Sequence, residues 1–324
     1  MINTLAGFSL QSYYASMKAR DKVKSFVTND PFAKIPEKIP VLGGIVGGEE
    51  PSRYTHSPLL WNPFFEGLGI TGKFTAFDLP RAETMGEFLE AVFALPGFID
   101  LTVTNPYKND AFTALSSKSW PVKMTERVQH LKSLNHIMRI PARKEILADS
   151  TDGEGMIRAL KKRVCLSGKN VMLVGAGGAA LSIAYELLSQ SVQLSIINIV
   201  PEDGQKLAKF LGSLRPGVKV QAFPWGMMCR LASSADIIIS AISSGTPLDA
   251  EALYCLPGEC IFADARYGSQ AEFMHAVRRA GRECIDGREM LYGQFRIAAE
   301  KLEGLANSSL VTKTLDEIEN GGYV

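Results

Sequence analysis

The run Val171-Met172-Leu173-Val174-Gly175-Ala176-Gly177-Gly178-Ala179-Ala180 places a glycine-rich turn between an apolar strand and a helix-forming stretch. That arrangement suits one chemistry, the holding of a dinucleotide pyrophosphate. Gly175 makes the tight turn, Gly177 lets backbone approach the diphosphate, and Ala180 takes the third, close-packing position. The helix that follows offers free N–H groups and a positive partial charge to the phosphates. A glycine turn without a ligand would read the same in isolation. The strand before it, the helix after it and the β-α series that follows favour the dinucleotide.

The end of the next strand bears on which dinucleotide. A ribose 2′-phosphate carries nearly two negative charges and calls for a cation, usually arginine. Here the strand closes as Ile197-Asn198-Ile199-Val200-Pro201-Glu202-Asp203, with apolar side chains where cations would serve and two carboxylates beyond them. Glu202 and Asp203 would repel a phosphate and accept hydrogen bonds from a ribose hydroxyl, or merely support the first helical turn. Both readings favour NAD over NADP.

Three segments in the first half carry polar residues that hydrophobic patterning does not explain. Tyr54-Thr55-His56-Ser57-Pro58 is a hydroxyl-rich turn ahead of a helix, where Ser57 before Pro58 would also serve as an ordinary cap. Leu101-Thr102-Val103-Thr104-Asn105-Pro106-Tyr107-Lys108 is a strand running into a proline turn with a lysine just beyond it. Asp149-Ser150-Thr151-Asp152-Gly153-Glu154-Gly155 opens the second half. Taken singly, each reads as capping or as a solvated turn.

Taken in order, ahead of the glycine loop, they resemble the shikimate dehydrogenase family from about Pro40 to the end of the chain. The family's His-Ser-x-Ser-Pro stands here as Tyr54–Pro58, and its Asn-Val-Thr-x-Pro-His-Lys as Thr102–Lys108. Its Ala-Val-Asn-Thr stands as Ser133-Leu134-Asn135-His136, and its Asn-Thr-Asp as Ser150-Thr151-Asp152. Asp264-Ala265-Arg266-Tyr267 and Asp286–Gln294 fit as well. The resemblance implies a ketone–alcohol oxidoreductase with Lys108 and Asp152 as its catalytic pair. An ammonium at the reacting oxygen donates a proton or stabilises the developing alkoxide while hydride moves at carbon. The resemblance further implies that Thr55 and Ser57 hold a substrate carboxylate. Thr104, Asn135 and Gln294 would bond ring hydroxyls, with Tyr267 nearby and Met290 beside the cofactor.

The departures bear on substrate. Thr55 replaces a serine, Thr102 and Ser150 replace asparagines, and His136 replaces a threonine. Ile199 and Asp203 stand where NADP-dependent members carry arginines, and Ser240-Ala241-Ile242-Ser243 replaces an Asn-x-Thr-Pro turn. The expected substrate is a cyclic hydroxy acid, shikimate or quinate, or its keto acid. A paralogous reductase with another carbonyl substrate and a non-catalytic dinucleotide-binding sensor are the alternatives. Retention of Lys108 and Asp152 argues against the sensor.

These residues need a frame of strands alternating with helices. Val41–Val46, Lys73–Leu79 and Phe98–Thr104 read as strands, and Leu59–Leu68 and Met85–Leu95 as helices, with extended pieces at Ser133–Ile140 and Glu145–Ala148. The second half alternates more regularly, from Val171–Val174 through Leu194–Ile199, Val218–Phe223, Asp236–Ala241 and Cys260–Asp264. Short Val- and Ile-rich strands suit a parallel sheet covered on both faces. The fold class is therefore α/β in two domains, a Rossmann-type doubly wound domain and an N-terminal α/β substrate-binding domain. The expected boundaries are 1–38 as an extension, 39–148 plus 292–324 for substrate, and 149–291 for the dinucleotide.

Composition narrows the remaining classes. The 324 residues carry 35 basic and 34 acidic side chains, a formal net charge of +1, which argues against a nucleic-acid binder relying on a basic field. No apolar stretch approaches the ~20 residues that cross a bilayer. The five cysteines are scattered without Cys-x-x-Cys spacing and there are four histidines, so buried thiols are expected rather than disulfides or a metal site. The first residues do not read as a secretory signal, so the expected location is cytoplasmic, as a monomer or homodimer.

Overall fold

The computed structural model describes residues 10–117, 120–143, 145–242, 258–267, 272–279 and 281–321. They form two compact units, one running to Thr151 and resuming at Phe295, the other Asp152–Gln294.

The first unit contains α1 (Leu10–Lys24), β1 (Val41–Gly47), α2 (Ser57–Gly67), β2 (Lys73–Asp78), α3 (Met85–Phe93) and β3 (Asp100–Val103). α4 (Lys108–Ser117), β4 (Val122–Met124), α5 (Glu126–Leu131), β5 (His136–Ile140) and β6 (Glu145–Asp149) follow. The strands form one sheet in the order β2-β1-β3-β5-β6-β4. β1 runs parallel to β2 and β3, whereas β5 is antiparallel to both β3 and β6. The link from Ile140 to Glu145 is too short for a crossover helix, so β5 and β6 pair as a hairpin inside an otherwise parallel sheet.

One face of this sheet packs Val46, Phe77, Leu79, Leu101 and Val103 against Phe88, Leu89 and Val92 of α3. The described part of the 1–38 segment, from Leu10 on, joins that core: Val23 of α1 is fully buried and Phe32 nearly so. Arg20 ties α1 to the proline-spaced stretch by donating to the carbonyls of Ile35, Pro36 and Ile39. Elsewhere in the unit Trp61 of α2 stacks on Phe74 at 5.5 Å and meets Phe295 edge-on at 5.0 Å. Such aromatic pairs add about 1 kcal/mol each beyond the area they bury.

The second unit contains α6 (Asp152–Lys161), β7 (Asn170–Val174), α7 (Gly178–Leu187), β8 (Gln193–Asn198), α8 (Pro201–Leu214), β9 (Lys219–Pro224) and α9 (Met228–Ala232). β10 (Ile237–Ser240), β11 (Ile261–Asp264), α10 (Glu272–Arg279) and β12 (Cys284–Ile285) complete its sheet. The order is β12-β11-β10-β7-β8-β9, all parallel. Alternate residues enter separate cores, Val171, Leu173, Ile237 and Ile239 on one side and Met172, Val174, Ile238 and Phe262 on the other. This two-sided burial is what the Val- and Ile-rich strands required. α11 (Gly287–Lys301) begins in the second unit and ends in the first, where α12 (Ser308–Asn320) follows.

The expectation of buried thiols needs correction. Cys260 is buried, but Cys165 and Cys229 are exposed and Cys284 is half-buried, while Cys255 lies outside the described residues. Cys165 and Cys229 sit near helix ends rather than on strands, which is why hydrophobic character alone misplaced them. Among the described residues there is no cluster able to hold a metal ion and no helix long and apolar enough to cross a membrane.

Candidate active-site residues in each unit

In the first unit the functional side chains collect where the parallel strands end. β1, β2, β3 and β6 all finish at one edge of the sheet, and β5, being antiparallel, begins there. That reversal brings Asn135, the residue before β5, to the same edge as Thr104, the residue after β3. The Asn135 carbonyl accepts from the Val103 N–H at 2.8 Å, and the Asn135 N–H donates to the Asp149 carbonyl at 3.0 Å. Asn135 is 1% exposed. Its amide donates to Thr151 Oγ1 at 3.1 Å and accepts from the Thr151 N–H at 2.7 Å.

Lys108 opens α4 directly after the cis Asn105–Pro106 bond. The turn is fixed from several sides. The Thr104 N–H donates to Val46, the Tyr107 N–H returns to the Thr104 carbonyl, and the Tyr107 hydroxyl donates to the Leu79 carbonyl at 2.7 Å. Burial, with Asp110 and Glu83 nearby, pushes the Tyr107 phenol above its ordinary value, so it stays a donor at neutral pH. The Leu134 N–H donates to the Lys108 carbonyl, which ties the lysine's backbone to the segment carrying Asn135. Thr55 and Ser57 lie on the turn into α2, where Thr55 Oγ1 donates to Ser57 Oγ and accepts from the Ser57 N–H, both at 3.2 Å. Ser57 is the first helical residue with Pro58 behind it, and it is buried.

Asp149 closes β6 three residues before Asp152 and is fully buried. Burial pushes its carboxyl upward, but the Lys301 ammonium and the Arg127 guanidinium outweigh burial and hold it below the ordinary aspartate range. Thr125 Oγ1 and the Ser150 N–H also donate to it, each at 2.8 Å.

In the second unit Asp152 begins α6 and is 3% exposed. α6 packs directly on α7: the Gly153 N–H donates to Ser182 Oγ at 2.9 Å, and a Cβ on Gly153 would fall 2.1 Å from the Ser182 carbonyl oxygen. A Cβ on Gly155 would meet the Met290 carbonyl at 2.7 Å and Gln294 Cγ at 2.9 Å. These close approaches pack the first turn of α6 against the middle of α7 and against the stretch of α11 that carries Met290 and Gln294. Tyr267 follows β11 and is half-buried, and the adjacent Arg266 carbonyl accepts from the Gly287 N–H that opens α11.

The glycine loop fits a dinucleotide. Gly175 has φ +118°, and a Cβ there would lie 2.6 Å from the Ala241 carbonyl oxygen, so only glycine makes this turn. Among the described residues, nothing beyond the adjoining backbone comes within 4 Å of where a Cβ on Gly177 or Gly178 would stand, which suits an approach of phosphate to the backbone. Ala176 and Ala179 are partly buried against the core. β7 lies where the strand order reverses, the customary crevice for ligands. Beside it, Ser240 Oγ at the end of β10 is buried without a hydrogen-bond partner among the described residues. Asn198 ends β8 with its amide on the Val200 carbonyl, Glu202 is exposed, and Asp203 pairs with Lys206 at 2.9 Å.

Sequence reasoning passed over Ser52 and Asp78, and it quoted Asp149 and Ser240 within their segments without giving either a role. A polar side chain closing an apolar strand was the available signal: Asp78 follows Phe77, Asp149 follows Ala148 and Ser240 follows Ile239.

Two family models match the chain, the shikimate dehydrogenase substrate binding domain over residues 47–129 and shikimate / quinate 5-dehydrogenase over residues 158–254. A protein of Thermococcus kodakarensis named shikimate dehydrogenase (NADP(+)) is 32% identical over 217 residues, 65% of this chain and 73% of its own. One from Stenotrophomonas maltophilia with the same name is 32% identical over 255 residues, 75% of this chain and 85% of its own. Among solved structures, a shikimate dehydrogenase in complex with NADP+ superposes with a TM-score of 0.69 at 23% identity, covering 88% of this chain and 97% of that one. A 5-ketofructose reductase of Gluconobacter does so at 0.67 and 22%, covering 86% and 99%. At these identities the structures speak for the fold.

The expectation of NAD is overturned by these relatives, which carry NADP(+) in their names. The charge argument behind it counted Asp203 as a bare carboxylate at the end of β8, but Lys206 neutralises it one helical turn on. Strand-end residues alone therefore do not decide against a phosphate. Glycine loop, strand order, ordered polar motifs and close relatives agree, and the chain belongs to the shikimate dehydrogenase family.

Proposed function

We propose that this chain catalyses the reversible, NADP-dependent interconversion of a cyclic hydroxy acid and its keto acid, with shikimate and 3-dehydroshikimate as the substrate pair. The observation that carries the reading is the gathering of Thr104, Asn135 and Lys108 at one edge of the first sheet through the reversed strand β5. The names of the relatives at 32% identity supply the substrate and the cofactor.

In this reading the first unit binds substrate and Asp152–Gln294 binds the dinucleotide. Thr55 and Ser57 hold the substrate carboxylate with neutral donors. Thr104 and Asn135 bond the ring hydroxyls, and by resemblance to the family Gln294 takes the same role, with Tyr267 nearby. Gly175, Ala176, Gly177, Gly178 and Ala179 hold the pyrophosphate on the helix N-terminus, Asn198, Glu202 and Asp203 line the adenosine end, and Met290 lies against the nicotinamide. The nicotinamide, when bound, supplies or takes up hydride at the substrate carbon. Lys108 gives a proton to the ketone oxygen during reduction and takes one from the hydroxyl during oxidation. Asp152, by resemblance to the family, accepts a hydrogen bond from the reacting group.

The test is a panel of shikimate, quinate and related hydroxy acids with NADP and with NAD, followed by nicotinamide absorbance. Turnover of shikimate with NADP is the expected result. Absence of turnover with every acid in the panel would remove the reading, and faster turnover of quinate would move the substrate within the same chemistry.

A further inference from the structure

The segment before β1 lies outside both matched family regions, yet residues 28–31 run along the free edge of β2. Asn29 sits there as a surrogate strand. Its Oδ1 accepts from the Asp78 N–H at 3.0 Å and its Nδ2 donates to the Ala76 carbonyl at 2.8 Å. The Thr28 N–H donates to the Asp78 carbonyl at 2.9 Å, and Thr75 Oγ1 donates to the Pro31 carbonyl at 2.7 Å. Three of these four bonds bear on the last three residues of one strand.

Asp78 is 5% exposed, and its carboxylate reaches the loop that follows β1. It accepts from the Ser52 N–H at 2.9 Å and from the Ser52 hydroxyl. Ser52 lies in the single 3-10 turn Pro51–Arg53, whose first carbonyl accepts from the N–H groups of Tyr54 and Thr55. Thr55 then bonds Ser57. Hydrogen bonds joined by short stretches of backbone, through Asp78 and through Pro51-Ser52, thus lead from Asn29 to the hydroxyl pair.

We propose that Asn29 is a positioning residue for substrate binding: through Asp78 and Ser52 it sets the turn that carries Thr55 and Ser57. The inference rests on the reading of that turn as the carboxylate site. A β2 end free to shift would let the turn drift, and a drift of about 1 Å is enough to weaken neutral donors that must converge on one carboxylate. The effect falls on ground-state binding, because the Lys108 carbonyl is held by the Leu134 N–H, from the segment leading into β5 and away from β2.

The experiment is steady-state kinetics on the full chain with shikimate and NADP. Asn29→Ala raises KM for shikimate about threefold to tenfold, the range of one or two lost hydrogen bonds, while kcat and KM for NADP stay within about twofold. Ser52→Ala, at an exposed residue, reproduces that signature and carries the test if Asn29→Ala does not fold. Asn29→Asp keeps the acceptor for the Asp78 N–H and recovers part of the loss. Thr55→Val tests the underlying reading directly. If Thr55→Val raises KM while Asn29→Ala and Ser52→Ala leave it unchanged, the segment only stabilises the fold and the inference is wrong. If Thr55→Val leaves KM unchanged, the reading of the turn fails first.

Discussion

The two sheets position functional groups by opposite means. In the first unit, buried carboxylates at strand ends hold the loops beyond them: Asp78 grips Ser52, and Asp149 is held by Lys301, Arg127 and Thr125. In the second unit the glycine loop works by the absence of side chains, with Gly175 in a backbone region that other residues rarely adopt and, among the described residues, open space over Gly177 and Gly178. The contrast follows from the ligands. A small hydroxylated ring needs side chains at defined points, so the loops bearing them must be immobilised. A diphosphate is bound by backbone N–H groups, so the protein has to keep its own side chains away.

Substitutions separate these two modes. The largest expected effect is chemical: Lys108→Ala lowers kcat about 1000-fold, while the dissociation constant for NADP, measured by fluorescence titration, stays within about twofold. A comparable loss in both would mean that the first unit does not act on substrate alone.

Removal of a clamp comes next. Lys301→Ala leaves the buried Asp149 carboxylate short of its first charge partner and costs about 3 kcal/mol of stability in urea unfolding. The sign of its pH dependence follows from the depressed carboxyl. Its contribution is present above the unfolded aspartate value of ~3.9 and is lost as pH falls through the lower folded value. In the variant the carboxyl titrates higher, so the acid limb of the stability profile moves toward neutrality. An unshifted limb would assign Asp149 a smaller part than its surroundings indicate.

The glycine loop answers differently. Gly175→Ala forces a Cβ against the Ala241 carbonyl and a side chain into the left-handed region, costing about 2 kcal/mol and weakening NADP binding with KM for shikimate unchanged. The smallest effect tests the charge at the end of β8: Asp203→Asn releases Lys206 and lowers KM for NADP about twofold. A rise instead would show that Asp203 bonds the ribose rather than repelling its phosphate.

Much of the second unit was legible in the sequence because short Val- and Ile-rich runs alternating with helical stretches have few alternatives to a two-sided parallel sheet. The first unit was less so. A run such as His136–Ile140 looks the same in a parallel or an antiparallel strand, and only pairing with β3 and β6 reveals the reversal that delivers Asn135. Thr104, Lys108 and Asn135 were legible through their ordered motifs, whereas Asp78 lay in none and Asp149 only headed the segment that carries Asp152. Their partners explain the silence: Lys301 lies 152 positions from Asp149, and Asn29 lies 49 from Asp78. The NAD expectation failed for a related reason, since it weighed formal charges without the ion pair that offsets one of them.

Local rules settled by the residues themselves were the glycine turn, the proline-opened helix at Ser57-Pro58 and the sequence of strands and helices, because each depends on backbone geometry within a few neighbours. Tertiary structure alone decided which strand runs backward, which buried carboxylates hold loops in place and that the first segment pins β2. Those outcomes depend on groups far apart in the chain finding one another, and burial gives a distant polar pair its strength only once the core around it has closed.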